Sequence, residues 1–318
     1  MDADRELDDD QALVAHDFDT FLRIAVRAEA PVPAGLATAA LDRAFAQRRA
    51  GVWDGFVADD EIDAGESYAR ALTQFDLLVR ALTPTEWQAP VATYGNVHNL
   101  VTHLLAIEIY TGKQLGLFEG DELGDDRDHI RLGDGLIRQC QGVADASLLE
   151  RWRDYGSEIA HAVRERPQLL SAAASWHGAP IDLRALLVIR TFELWTHADD
   201  VRVATGRDRD EPDNAQLKLM TNLAAEILPL GLELTGRAQA GRTVRLVLTG
   251  RGGGTWRCPL AATSAVTAHD DVLVVADAVE FCRLAANRCT PAALDAYVEG
   301  DEALASDILR GMAALAAD

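Results

Sequence analysis

Lysine is almost missing from this chain: Lys113 and Lys218 are the only two among 318 residues, so arginine carries nearly all the positive charge. Basic residues of both kinds number 30 against 51 acidic ones, a net charge of -21, which speaks against nucleic acid and against an anionic membrane as partners. The acidic excess reads instead as a solvated, self-repelling surface. Long apolar runs are lacking, and none approaches the length of a membrane span. The first residues, Met1 to Asp10, are acidic and lack the basic start and apolar core of a signal peptide, so a cytoplasmic protein is expected. Cysteine is scarce too. Cys140, Cys258, Cys282 and Cys289 form neither a C-x-x-C pair nor zinc-ribbon spacing, and read as buried or incidental thiols of a reducing compartment. The glycine run Gly250 to Gly254 lacks the Gly-Lys-Ser/Thr continuation of a phosphate cradle and lies between two strand-like stretches, so it predicts a hairpin turn.

What is present is a chain that is 48% hydrophobic with a mean hydropathy of -0.04, globular and long enough for two ordinary domains. Three pieces are expected: a helical extension over 1–58, a helical bundle over 59–206 and an α+β part over 207–318. Helical spacing of apolar residues recurs over 12–28, 36–49, 62–82, 97–117, 148–166 and 182–205, with Gly206 just past the last of these, where helices commonly stop. A polar stretch over 123–134 precedes a helix to Cys140, and Ser175 to Ile181 reads as a small extended turn feeding the helix after Asp182. Beyond Gly206 a helix over 214–234 gives way to β-branched alternation at 242–249 and strand-like stretches at 255–259, 271–276 and 294–298. Helices are expected from Asp277 to Asn287 and from Glu302 to Ala316. The fold class is therefore α+β, mainly α.

The chemistry is concentrated in the helix over 182–205. Leu183, Leu186, Arg190, Glu193, His197 and Val201 fall three or four residues apart, on one face. Charge on a core-facing stripe is costly unless paired or bound to a metal, and a carboxylate and an imidazole at i and i+4 can reach one divalent ion. The same spacing also makes an ordinary ion pair. On the helix over 97–117, His103 shares a face with Leu100 and Ile107, whereas His98 and Glu108 lie five residues away, about 140° around the helix, and are not expected in the same site. A lone core histidine is also explained by a hydrogen bond. His103, Glu193 and His197 together would leave a coordination position open, as in catalytic zinc sites, able to take a water or a thiol. Asp199 and Asp200 are placed to accept from a ligand imidazole, or simply to end a helix at the surface. His177, in the turn before the helix, is a neighbouring candidate.

The stretches Asn99 to Glu108, Phe192 to Arg202 and Asp277 to Arg288, in this order, resemble the mycothiol-dependent maleylpyruvate isomerase family. The resemblance runs from about residue 60 to the end. It implies a DinB-like four-helix bundle holding a divalent metal, usually zinc, through His103, Glu193 and His197, followed by a small α+β domain similar to sterol carrier proteins. It also implies mycothiol as thiol cofactor and a small-molecule electrophile as substrate. An arginine would hold the substrate carboxylates, with Arg245, Arg283 and Arg288 all open for that role. The helical extension over 1–58 is additional to the smallest members. Because the same bundle serves thiol transfer as well as cis-trans isomerisation, the resemblance leaves the two reactions open. Two other readings stay open: a carrier of an apolar ligand, which rests on the sterol-carrier resemblance alone and needs none of the three ligands, and a hydrolase that activates water on the same metal.

Overall fold

The structure is a computed structural model that describes residues 61–118, 129–176 and 178–316. The expected extension over 1–58, much of the polar stretch over 123–134 and His177 lie outside the described residues.

Four long helices make the first layer: α1 (Ala64–Arg80), α2 (Val97–Gln114), α4 (Asp145–Glu165) and α5 (Leu183–Ala204), with a shorter α3 (His129–Gln139) leading into α4. Three of the starts are fixed by side chains that accept from otherwise orphaned backbone N–H groups: Asp63 for α1, Asn96 for α2 and Asp182 for α5. Helix α1 packs against α4 and α5, and α2 against α3 and α4, while α2 and α5 meet only lightly. The bundle is tight along α1 and α4, where a Cβ on Gly156 would stand 2.8 Å from Leu72 Cδ2 and the Phe75 and Trp152 rings meet edge on at 5.1 Å. Helix α2 is buried nearly all round, as its apolar composition on every face requires.

Between α4 and α5 lies a two-stranded antiparallel hairpin, β1 (Ala173–Trp176) and β2 (Ala179–Asp182), turned at Gly178 with a φ of +77°, so the expected extended turn is a paired one. Helix α6 (Asn214–Leu234) follows, opened by a reciprocal capping box between Asp213 and Gln216. Its first half, with Leu217, Met220 and Leu223, packs into the core of the bundle. Its second half, with Ala224, Leu228 and Leu232, packs into a second core. That second core lies on a four-stranded sheet in the order β4-β3-β5-β6, with β3 (Gln239–Thr249) antiparallel to β4 (Gly254–Leu260) and parallel to β5 (Val272–Asp277), and β5 antiparallel to β6 (Ala296–Gly300). Helices α7 (Ala278–Ala285) and α8 (Glu302–Ala313) complete it. Helix α7 stops two residues before the expected Asn287, which sits in the left-handed region with a φ of +54°. As the composition implied, the fold is α+β and mainly α.

Candidate functional site

The light contact between α2 and α5 is where the polar stripe of α5 meets the histidine of α2. The His103 and His197 rings stand 5.7 Å apart, centroid to centroid, at 80°, and both residues are buried. Tyr94, from the loop before α2, lies against both, 4.6 Å from His103 and 5.4 Å from His197. That loop closes through Gly95, whose φ of +83° suits glycine and whose N–H donates to Val91 O at 2.8 Å. On the other side of His103, a Cβ added to Gly133 of α3 would come within 3.2 Å of His103 Nδ1, so α3 admits the imidazole by presenting no side chain there.

His197 is oriented from its own helix. Its Nδ1 lies 3.0 Å from Asp200 Oδ2. Burial would raise the Asp200 carboxyl, but its bonds to His197 and to Arg288 outweigh that and hold it at about 2, so the carboxylate accepts and His197 Nδ1 donates. In the neutral imidazole that bond leaves the lone pair on Nε2, the tautomer a metal ligand needs. Asp200 also takes a fork from Arg288, with Nε to Oδ1 at 2.9 Å and Nη2 to Oδ2 at 2.7 Å. Its neighbour Asp199 accepts from Asp210 N at 3.2 Å and from Arg283 Nη2 at 3.4 Å, and burial pushes its carboxyl up. The Arg283 guanidinium lies over the Trp195 ring at 5.6 Å. Both aspartates thus join the end of α5 to the segment that starts at α7, and only Asp200 touches the imidazole.

Glu193 lies one turn before His197, with its carboxylate paired to Arg190. Arg190 is wholly buried and is held from its other side by Glu108 of α2, whose Oε1 accepts from Arg190 Nη2 at 2.8 Å and whose Oε2 accepts from the Tyr68 hydroxyl of α1 at 2.5 Å. Burial alone would lower the Arg190 pKa, but the two carboxylates beside it raise it further above its usual value. Burial first, and then Glu108, push the Tyr68 hydroxyl up, so it stays a donor. As expected, neither Glu108 nor His98 joins His103: His98 instead pairs with Asp145 at 2.7 Å. Arg245 lies in mid-β3 opposite Arg257 and does not line the site.

Beside this cluster lies a cleft of about 380 Å³ bounded by α5, the hairpin, α6, α7 and the chain after α8. Glu193, Thr196, His197 and Arg288 line it, and the remaining walls are apolar. Tyr94 and Tyr68 were not singled out from the sequence, and Glu108 was named only as lying outside the His103 site. A carboxylate within the apolar α2 was a signal for Glu108, whereas nothing in the local sequence marked Tyr94.

Of the three expected ligands, the two imidazoles face each other from different helices, and Glu193 is on the right helix and turn but engaged with Arg190. Among the described residues no three His, Cys, Asp or Glu groups converge closely enough to hold an ion as they stand. The donor types, two imidazoles and a carboxylate, are those that suit a divalent ion, while the Glu193 carboxylate is paired with Arg190.

Residues 68–202 match the family described as the mycothiol maleylpyruvate isomerase N-terminal domain. Two solved structures are similar to this chain, one of the mycothiol-dependent maleylpyruvate isomerase and one of a histidine-to-alanine variant of it. Each is 16% identical, with a TM-score of 0.51 over 73% of this chain and 91% of the other, a likeness of fold. Among curated proteins none matches the chain in sequence.

Proposed function

We propose, from the match of residues 68–202 to the mycothiol maleylpyruvate isomerase N-terminal domain, that the protein is an enzyme adding the thiolate of mycothiol to an electrophilic double bond. The observation that carries the reading is the pair of buried imidazoles, His103 and His197, set edge to face, with His197 lining a cleft that also holds Arg288. A carrier of an apolar ligand has no use for two such imidazoles or for the Asp200 bond that fixes one of them.

His103 and His197 would hold a divalent ion, with Glu193 as the third ligand. When bound, such an ion supplies positive charge that lowers the pKa of a nearby thiol, so that thiolate is present near neutral pH. Asp200 keeps the Nδ1 proton of His197 on the side away from the site. Arg288, its orientation set by Asp200, presents a guanidinium to an anionic group of the substrate. The apolar walls of the cleft keep water from the reacting carbons. Addition of thiolate to a double bond conjugated with a carbonyl forms a C–S bond and moves the π pair onto the carbonyl oxygen as an enolate. The former double bond is then single and turns, and collapse of the enolate either expels thiolate from the rotated product or is replaced by protonation at carbon, leaving the thioether. The first outcome is cis-trans isomerisation and the second is S-transfer.

The test is metal content by elemental analysis of protein purified without chelator or nickel resin, followed by assay with and without mycothiol. About one divalent ion per chain in the parent, lost in His197→Ala and in His103→Ala, together with turnover that needs the thiol, is the expected result. Turnover without thiol would replace this reading by a hydrolase. A parent that neither holds nor takes up an ion would end the metal-site assignment.

A further inference from the structure

We infer that the electrophile taken by this site is a largely apolar molecule with a single anionic end, such as an unsaturated keto acid bearing a hydrocarbon tail, and not a small dicarboxylate. The inference rests on the thiol-addition reading and adds the substrate class to it. Nineteen described residues line the cleft, and apart from the indole N–H of Trp176 only Glu193, Thr196, His197 and Arg288 among them have polar side chains. Thr196 spends its hydroxyl on its own helix, donating to Phe192 O at 3.0 Å and to Glu193 O at 3.2 Å. The polar groups also lie together: three sit within five residues of α5, and Arg288 is bound to Asp200, three residues beyond His197.

The remaining walls are hydrocarbon. Trp176 and Ile181 of the hairpin face the cleft, and along α6 Leu223, Ile227, Leu230 and Leu234 form a continuous strip. From Leu223 to Leu234 that strip runs roughly 16 Å at about 1.5 Å per residue, far longer than a small diacid. Leu230 and Leu234 are 37% and 65% exposed, apolar side chains left at the rim of the cleft.

Charge leads to the same class. Arg288 is the only arginine or lysine among the described lining residues, and Asp200 already offsets it. One substrate carboxylate can share that guanidinium. A second would face either the carboxylate of Glu193 or the apolar wall, and an unpaired buried carboxylate is strongly disfavoured. A hydrocarbon tail in the same space displaces water from apolar surface instead.

The experiment uses the full-length, metal-loaded protein with mycothiol and a series of cis-γ-keto-α,β-unsaturated acids whose alkyl tails lengthen one methylene at a time. Maleylpyruvate serves as the dicarboxylate comparison. Binding of decanoate and of maleate is measured separately by calorimetry, without thiol. The expected result is a kcat/KM that rises about fourfold per methylene until the cleft is filled, as burial of each methylene predicts. Decanoate should bind more tightly than maleate. Leu230→Glu, at a partly exposed position where folding tolerates charge, should flatten the rise and weaken decanoate binding. Ile227→Glu should do the same more strongly. A flat series, or a preference for maleylpyruvate while thiol addition proceeds, would overturn this inference and leave the proposed function standing. Tail-dependent binding with neither thiol-dependent isomerisation nor thiol conjugation of any electrophile would instead overturn the proposed function, and with it the electrophile, leaving an apolar ligand for the cleft.

Discussion

Glu108 offers the sharpest test of how the bundle is held together beneath the site. The group joins three helices, accepting from Arg190 of α5 and from Tyr68 of α1, and all three side chains are fully buried. Glu108→Leu would leave the Arg190 guanidinium with Glu193 alone and the Tyr68 hydroxyl without its acceptor. Breaking a buried ion pair by removing one partner costs roughly 3–5 kcal/mol, because the remaining charge has lost its compensation without regaining water. An orphaned buried hydroxyl adds about 1–3 kcal/mol. Because Glu193 still compensates Arg190, we expect the lower end of that sum, a loss of about 4 kcal/mol, which at roughly 2–4 °C per kcal/mol lowers Tm by about 8–16 °C. The triple variant Tyr68→Phe, Glu108→Leu, Arg190→Met removes every group that the single change leaves unsatisfied, and should recover to within about 2 kcal/mol of the parent. Urea unfolding followed by circular dichroism measures both, with chelator in every sample so that ligand binding to the folded state does not add to one and not another. A loss below about 1 kcal/mol for Glu108→Leu, or a triple variant no more stable than the single one, would refute this account.

Helices α6 and α8 cross glycine against glycine, and a Cβ on Gly231 would stand 2.4 Å from Gly311 O, so Gly231→Ala should cost about 1–3 kcal/mol in urea unfolding. A cost near zero would show that the crossing relaxes freely. Asp271 accepts from Thr243 N at 2.8 Å and from Arg242 Nε at 3.1 Å, and these bonds, with the backbone bond first, hold its carboxyl below the usual range. With the folded pKa depressed, the stabilisation is complete above the unfolded value near ~3.9 and is lost as pH falls below it, so Asp271→Asn should flatten the acid limb of stability below about pH 4. An unchanged limb would count against those bonds. Burial pushes the Cys258 thiol up to about 12, and Cys282 is raised further while Cys140 is also buried. A disulfide reagent should label Cys289 first in the native protein and the other three on unfolding. Rapid labelling of more than one thiol in the native state would contradict that burial.

Much of the chain's local structure was legible in its residues. Asp182 and Gly206 bracket α5, Asp213 with Gln216 starts α6, and β-branched alternation marks β3, because capping and side-chain period are properties of a few adjacent residues. The stripe holding Arg190, Glu193 and His197 was equally plain, since helical spacing alone puts those residues on one face. What spacing could not give was the partner of each charge. Arg190 stands beside Glu193 in sequence, yet its second partner, Glu108, comes from a helix eighty-two residues earlier, and Tyr68 from one earlier still. Asp199 and Asp200 read as helix-end surface or as acceptors for an imidazole, and only the approach of the segment 283–288 to the end of α5 gave them Arg283 and Arg288.

The same limit separated the three candidate arginines, which sequence left equal: Arg288 reaches the cleft, Arg283 lies against Trp195, and Arg245 stays on the sheet. By itself, then, the sequence determined most helices and strands of the described residues, the fold class and the polar stripe, because each depends on neighbours along the chain. The tertiary structure alone decided that His103 meets His197, that Tyr94 lies against both and that the described walls of the adjoining cleft are mostly apolar. Those contacts join elements far apart in the chain, and their geometry follows from how whole helices pack.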